Sequence, residues 1–230
     1  AHGDVLAMER AIDMIHAMGE PAAATFNYHE PVAPTGRSFG DSLVKQINAG
    51  DFDFNVDTDT GNLFAVINEA DDWSLHISTD NGETWSQTFN FNGDGVHTDL
   101  MVVDGFVYVG YVWSATPAEA RLRRFDAATG LADNSYSFQT VFDAGAPNVI
   151  NDIAVESNQD TFDNRIYVAA IQSDNTLKWA FATTDDPESF IDDNNNGVTD
   201  AVANLDMHWD TGLAGSFLHL CYTSTALQIR

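Results

Sequence analysis

From about residue 50 onward the chain keeps a strand rhythm. Short runs of Val, Ile, Leu, Phe, Tyr and Trp alternate with turns of Asp, Asn and Gly. Leu63–Asn68, Val107–Trp113, Ile166–Ile171, Leu205–Trp209 and Phe217–Tyr222 are the clearest predicted strands, and shorter ones extend to Leu227–Ile229. The first twenty residues follow another period. In "DVLAMERAIDMIHAMG", Val5, Met8, Ile12 and Ile15 recur at helical spacing behind an N-capping Asp4, and Gly19 with Pro21 ends the pattern. Residues 1–20 are therefore expected to hold an amphipathic helix. Residues 21–49, with three prolines, are expected to form an extended arm in which Ala24–His29 is a candidate strand.

The strands repeat as groups. "GNLFAVINEADDWSLHISTDNGETW" matches "DNRIYVAAIQSDNTLKWAFATTDDPESF" almost position for position. "DGFVYVGYVWSATPAEARLRRFDAATG" is a third copy, and "GSFLHLCYTSTALQIR" a fourth that stops after its second strand. Anchors at Leu63, Val107, Ile166 and Leu218 are 44, 59 and 52 residues apart, enough for one four-stranded antiparallel sheet per repeat. The expected fold is all-β: a β-propeller-like array of about four blades, at 50–95, 96–146, 147–210 and an incomplete 211–230. The alternative is a β-sandwich, which has no reason to repeat one order of elements four times.

"ISTDNGETWSQ" places Ser78, Asp80, Gly82, Thr84 and Trp85 at fixed positions of one tight turn. An aspartate can accept hydrogen bonds from the turn's backbone, and glycine permits the positive φ such turns need. This Ser-x-Asp-x-Gly-x-Thr-Trp pattern resembles the Asp-box, or BNR repeat, of sialidase-like β-propellers. "TTDDPESF", with Thr183, Asp185, Ser189 and Phe190, resembles a second copy in which Pro187 replaces the glycine. The resemblance implies a fold-stabilising turn away from the ligand face. It does not bring sialidase chemistry with it. That family surrounds a substrate carboxylate with three arginines, whereas the seven arginines here include a cluster at Arg121, Arg123 and Arg124 and an Arg165 followed by Ile-Tyr instead of Ile-Pro.

Charge narrows the partners. Asp and Glu number 35 against 9 Lys and Arg, a formal net charge of −26, which repels nucleic acid and anionic lipid. No apolar run approaches the roughly eighteen residues of a membrane span. The first residue is Ala1, from which a processed, secreted or cell-surface protein is expected. The single Cys221, in "FLHLCYT", is expected to be a buried core residue. "DDNNNGVTD" spaces Asp192, Asn194, Asn196 and Asp200 as oxygen ligands around Gly197, resembling a calcium loop without its final glutamate; a structural calcium ion or a plain surface turn both fit. His97 and Asp99 share a strand face without an identifiable third ligand, so no zinc site is expected.

The expected function is a secreted, non-enzymatic propeller for extracellular binding or assembly. Its partner would be a glycan, a surface protein or another copy receiving residues 24–29 as a donor strand. The chain could equally be a fragment, or close its ring with its own arm. Glycoside hydrolysis is the alternative: it needs only two suitably placed carboxylates, and nothing in the sequence singles out a pair.

Overall fold

The computed structural model describes residues 52–69, 72–93, 95–115, 118–136, 138–145, 147–158, 164–192, 201–212 and 215–224. The expected N-terminal helix, the 24–29 strand, the Leu227–Ile229 strand and most of the calcium loop lie outside them. The described residues form strands and turns, with no helix among them. The first sheet orders β1 (Phe52–Val56), β2 (Leu63–Glu69), β3 (Asp72–Ser78) and β4 (Ser86–Phe91) side by side. The second does the same with β5 (Gly95–Val103), β6 (Phe106–Trp113), β7 (Glu119–Asp126) and β8 (Gln139–Asp143). The third consists of β9 (Ile150–Asn158), β10 (Arg165–Gln172), β11 (Leu177–Thr183) and β12 (Asp186–Asp192), and a two-stranded fourth of β13 (Ala201–Gly212) and β14 (Gly215–Ser224). All pairings are antiparallel.

The sheets stack face to face in sequence order, as propeller blades do. On β6, Val107, Val109 and Tyr111 pack with Phe64, Val66 and Trp73 of the first sheet. The intervening Tyr108 and Val112 pack with Ile153, Val155 and Ile166 of the third. The middle strands are thus buried on both faces, which is why they read as unbroken apolar runs. Tyr167, Ala169 and Leu205 join the third sheet to the fourth. A sandwich would share one interior; here three interiors follow one another around an axis, with β1, β5, β9 and β13 in successive contact along the inner edge.

Several expectations change. Asp186–Asp192 is the outer strand of the third sheet, where the sequence suggested only a turn. Leu205–Trp209, expected to close the third blade, instead lies in β13 and opens the fourth, so the blade boundary falls between Asp192 and Ala201. Cys221 is exposed, not buried. Along β14, Leu218, Leu220 and Tyr222 turn toward the third sheet. Strand alternation therefore sends His219 and Cys221 outward.

Two core positions carry testable consequences. Gly110 sits where β6 crosses β9: a Cβ there would stand 2.5 Å from Val155 Cγ1 and 3.3 Å from Ile153 Cδ1. Val155 is β-branched and locked in the core, so it cannot swing aside. Gly110→Ala should cost about 1–3 kcal/mol of unfolding free energy, read from denaturant melts. His76 is buried with its Nε2 3.0 Å from Ser74 Oγ, and burial pushes its pKa from 6.5 down to about 4. The unfolded chain takes up this proton and the fold does not, so stability falls as pH drops from 6.5 to 4. His76→Phe should flatten that limb of the pH–stability curve by up to about 3 kcal/mol.

Candidate functional site

Each inner strand carries an aspartate followed by an apolar residue: Asp53-Phe54, Asp99-Leu100, Asp152-Ile153 and Asp206-Met207. Three of these carboxylates reach across to the next inner strand. Asp53 Oδ2 accepts the Leu100 N–H at 2.8 Å, Asp99 Oδ2 the Val155 N–H at 2.6 Å, and Asp152 Oδ2 the Leu205 N–H at 2.7 Å. The second oxygens of Asp99 and Asp152 accept the N–H of the residue that follows each, at 2.9 and 3.0 Å. The result is a staircase of side-chain-to-backbone bonds around the axis.

Just before three of these aspartates the register slips. His97 is extra against Val112 and Tyr111, Asn151 against Gln172 and Ile171, and the Asn204–Leu205 step against Thr223 and Cys221. Such bulges bend a strand and re-aim its side chains. His97 and Asn204 adopt positive φ, 48° and 53°, in the left-handed region that His and Asn tolerate better than most residues. The bulged residues and the aspartates line one cavity of about 300 Å³, open at one side, with Thr98, Ile153 and Leu205 completing its wall.

The carboxylates in this wall are unequal. Burial, then the adjoining Asp53 carboxylate, holds the Asp99 proton well above the usual carboxylate range. Burial also raises Asp53; its hydrogen bonds with Asp99 and the Leu100 and Phe54 N–H groups oppose that rise, and the charge of Asp206 adds to it. Two adjoining carboxylates disfavour double ionisation, so the pair holds a proton more tightly than either would alone, and the upward push is the stronger at Asp99. Asp152 is more open: its side chain is 21% exposed, and His97 Nδ1 lies 3.9 Å from its Oδ1. The wall thus sets a buried pair that holds its proton tightly beside a more open carboxylate.

The motif residues stand elsewhere. Ser78 Oγ donates to Asp80 Oδ1 at 2.8 Å and accepts the Gly82 N–H at 2.8 Å; Asp80 Oδ1 also accepts the Thr84 N–H at 2.8 Å. Gly82 has φ 84°, and its carbonyl accepts Trp85 Nε1–H at 3.3 Å, while the Trp85 ring meets Phe54 edge-on. Desolvation raises the Asp80 pKa, but the hydrogen bonds from Thr84 and Ser78 outweigh it and leave it low. This turn joins β3 to β4, on the outer part of its blade, and none of its residues lines the cavity. In "TTDDPESF" the chain reverses over Thr184 and Asp185 alone, with Asp185 exposed and Thr183 Oγ1 accepting the Asp186 N–H at 3.2 Å. Ser189 and Phe190 lie on β12, Phe190 against the core between the second and third sheets. Of the calcium-loop residues, Asp192 is exposed and Asn194, Asn196 and Asp200 lie outside the described residues. Among the described residues no group of three His, Cys, Asp or Glu side chains has metal-binding geometry.

No protein-family model matches the chain, and no curated protein matches it. Solved structures do. A thermostable family-43 glycoside hydrolase matches with a TM-score of 0.53 at 12% identity, over 80% of this chain and 70% of its own. An endo-1,4-β-xylanase from Bacteroides thetaiotaomicron matches at 0.48 and 9%, covering 79% of this chain and 75% of its own. An α-L-arabinofuranosidase from Clostridium thermocellum matches at 0.48 and 11%, covering 78% and 71%. The first of these shares the propeller architecture. The expected kinship with sialidase-like propellers is thereby corrected: the matching structures are family-43 glycoside hydrolases. The Asp-box misled because it is a local hairpin device that any outer β-turn can use. The non-enzymatic reading is corrected with it: the matching structures are those of glycoside hydrolases, which favours the alternative reading over a non-enzymatic binding domain.

The proton on Asp99 has a measurable consequence. A carboxyl whose pKa is higher in the fold than in the unfolded chain costs stability as pH rises from the ordinary value of 3.8 through the folded one. Asp99→Asn, which mimics the protonated form, should gain in Tm relative to wild type as pH is raised through that window. A constant difference across the window would refute the assignment.

Proposed function

We propose that the axial cavity is the active site of a glycoside hydrolase. Support comes first from carboxylates of unlike ionisation on one cavity of sugar size, the minimum equipment for cleaving a glycosidic bond. The fold shared with a family-43 glycoside hydrolase agrees with it. Among the described residues no helix is long and apolar enough to cross a membrane. Action on extracellular glycan, by a secreted protein, belongs to the same proposal.

In this reading Asp99 is the general acid. Its proton passes to the departing glycosidic oxygen as the carbon–oxygen bond breaks. Asp152 is the base, taking a proton from the water whose oxygen bonds to the anomeric carbon. Asp53 helps Asp99 hold its proton, and the strand bonds to Leu100, Val155 and Leu205 fix all three carboxylates before substrate arrives.

Release of reducing ends from arabinan and xylan, together with a panel of aryl pentosides and hexosides, tests the proposal. Asp99→Asn and Asp152→Asn should each lower kcat by about 10²–10⁴-fold, with folding checked by thermal melts. Wild-type activity should fall at high pH as Asp99 ionises. Full activity in both variants, or none in the wild type across the panel, would overturn it.

A further inference from the structure

The first sheet has a far face, turned away from the second. Phe64, Val66, Trp73, Leu75 and Ile77 pack toward the second sheet. Alternation therefore sends Leu63, Ala65 and Ile67 of β2, and Ser74, His76 and Ser78 of β3, the other way. They stand opposite one another, Leu63 with Ser78, Ala65 with His76 and Ile67 with Ser74. Phe54 and Val56 of β1 flank Ala65 and Leu63 on the same side. The face is thus an apolar strip with a polar border, in which Ser74 and His76 bond to each other. All six central residues are buried, and Ala65 and Ile67 are only 0% and 2% exposed.

The described residues account for little of that burial. Trp85 covers one end: it meets Phe54 edge-on and stands with Leu63 beside Gly82. Ile67 and Ser74 lie about 13 Å further along the strands. The fourth sheet is not the cover. It packs on the third, and among the described residues no strand of it packs on the first. Its own far face, with Asp206, His208, His219 and Cys221, is exposed. Outside the described residues the chain offers one stretch longer than eight residues, 1–51, and that stretch runs directly into β1 of this sheet. Its helical period sets Val5, Met8, Ile12 and Ile15 on one side over about 15 Å, the length of the strip from Leu63 to Ile67. The residues from His16 to Asp51 give ample chain to bring that side back over β2.

We infer that the segment preceding β1 docks in cis on the far face of the first sheet, with Val5, Met8, Ile12 and Ile15 against Ala65 and Ile67. It thereby closes the blade that carries Asp53, and it does so whatever reaction the cavity performs. Thiol reactivity in the full chain tests it. Cys221→Ser removes the exposed thiol, and Ser74→Cys then sets a near-isosteric one beneath the cover. Its reaction with a bulky disulfide reagent should be about 100-fold slower than that of Cys221 in the unaltered chain, or slower still. Adding Ile12→Asp, which puts a charge into the contact, should speed it about tenfold or more. A thiol from Ala120→Cys, in the core between the second and third sheets, should stay protected in the same background, which separates local uncovering from unfolding. Where a variant melts too low for that comparison, Ile12→Ala and Ile67→Ala serve instead: their combined melting shift should differ from the sum of the single shifts. Additive shifts would overturn the inference. So would a position-74 thiol as reactive as Cys221, which means a bare face, or protection indifferent to Ile12→Asp, which means a different cover. Protection that fades on dilution would hand the face to a second copy of the chain and overturn it as well.

Discussion

The carboxylate that leaves one inner strand and accepts a backbone N–H of the next is the constraint on which the rest of this structure depends. Apolar packing between blades is strong but tolerant of sliding, because side chains such as Val107 and Phe64 interlock over a broad face. A hydrogen bond has direction. The bonds from Asp53, Asp99 and Asp152 fix the height and rotation of each sheet against its neighbour along the inner edge. They also give partners to N–H groups that no neighbouring strand of the same sheet could reach.

Those bonds explain why charge accumulates at the axis. Gathering four carboxylates around one cavity is unfavourable, and the fold reduces the cost in two ways. It surrounds Asp53, Asp99 and Asp152 with backbone donors, and it leaves a proton on Asp99. The second device follows from a structural compromise: crowding and burial press the Asp99 carboxyl toward its neutral form. The bulges at His97, Asn151 and Asn204 fall just before three of the aspartates, and the bulged residues line the cavity with them.

Much of this fold was legible in the chain. The doubly buried strands β2, β6 and β10 announce themselves as apolar runs, and their spacing implies one sheet per repeat. β12 escaped because "DPESFID" has only Pro187 fully buried and begins within an apparent second Asp-box. Cys221 was misjudged because an apolar run was read as two-sided burial, whereas only one side of β14 packs on the third sheet. The site was harder to see. Among 35 acidic residues, Asp53, Asp99, Asp152 and Asp206 look ordinary one at a time. Their signal is their recurrence, an aspartate before an apolar residue at intervals of 46, 53 and 54, which the strand anchors of each repeat already bracket. The most recognisable motif drew attention instead, and it marks a hairpin far from the axis.

The arrangement of basic side chains completes the electrostatic logic. With a formal net charge of −26, any arginine near the axis would find a carboxylate and neutralise the cavity. The described arginines are held instead by aromatic rings: Arg121 lies 3.6 Å from the Trp113 ring centroid and Arg123 4.4 Å from that of Phe89. Cation–π contacts give a guanidinium a favourable position without consuming an axial carboxylate. Carboxylates that do neutralise arginines, Glu119 and Asp133, are themselves in the second sheet's outer half. The described arginines are thus held locally, blade by blade, and none of them lines the axial cavity.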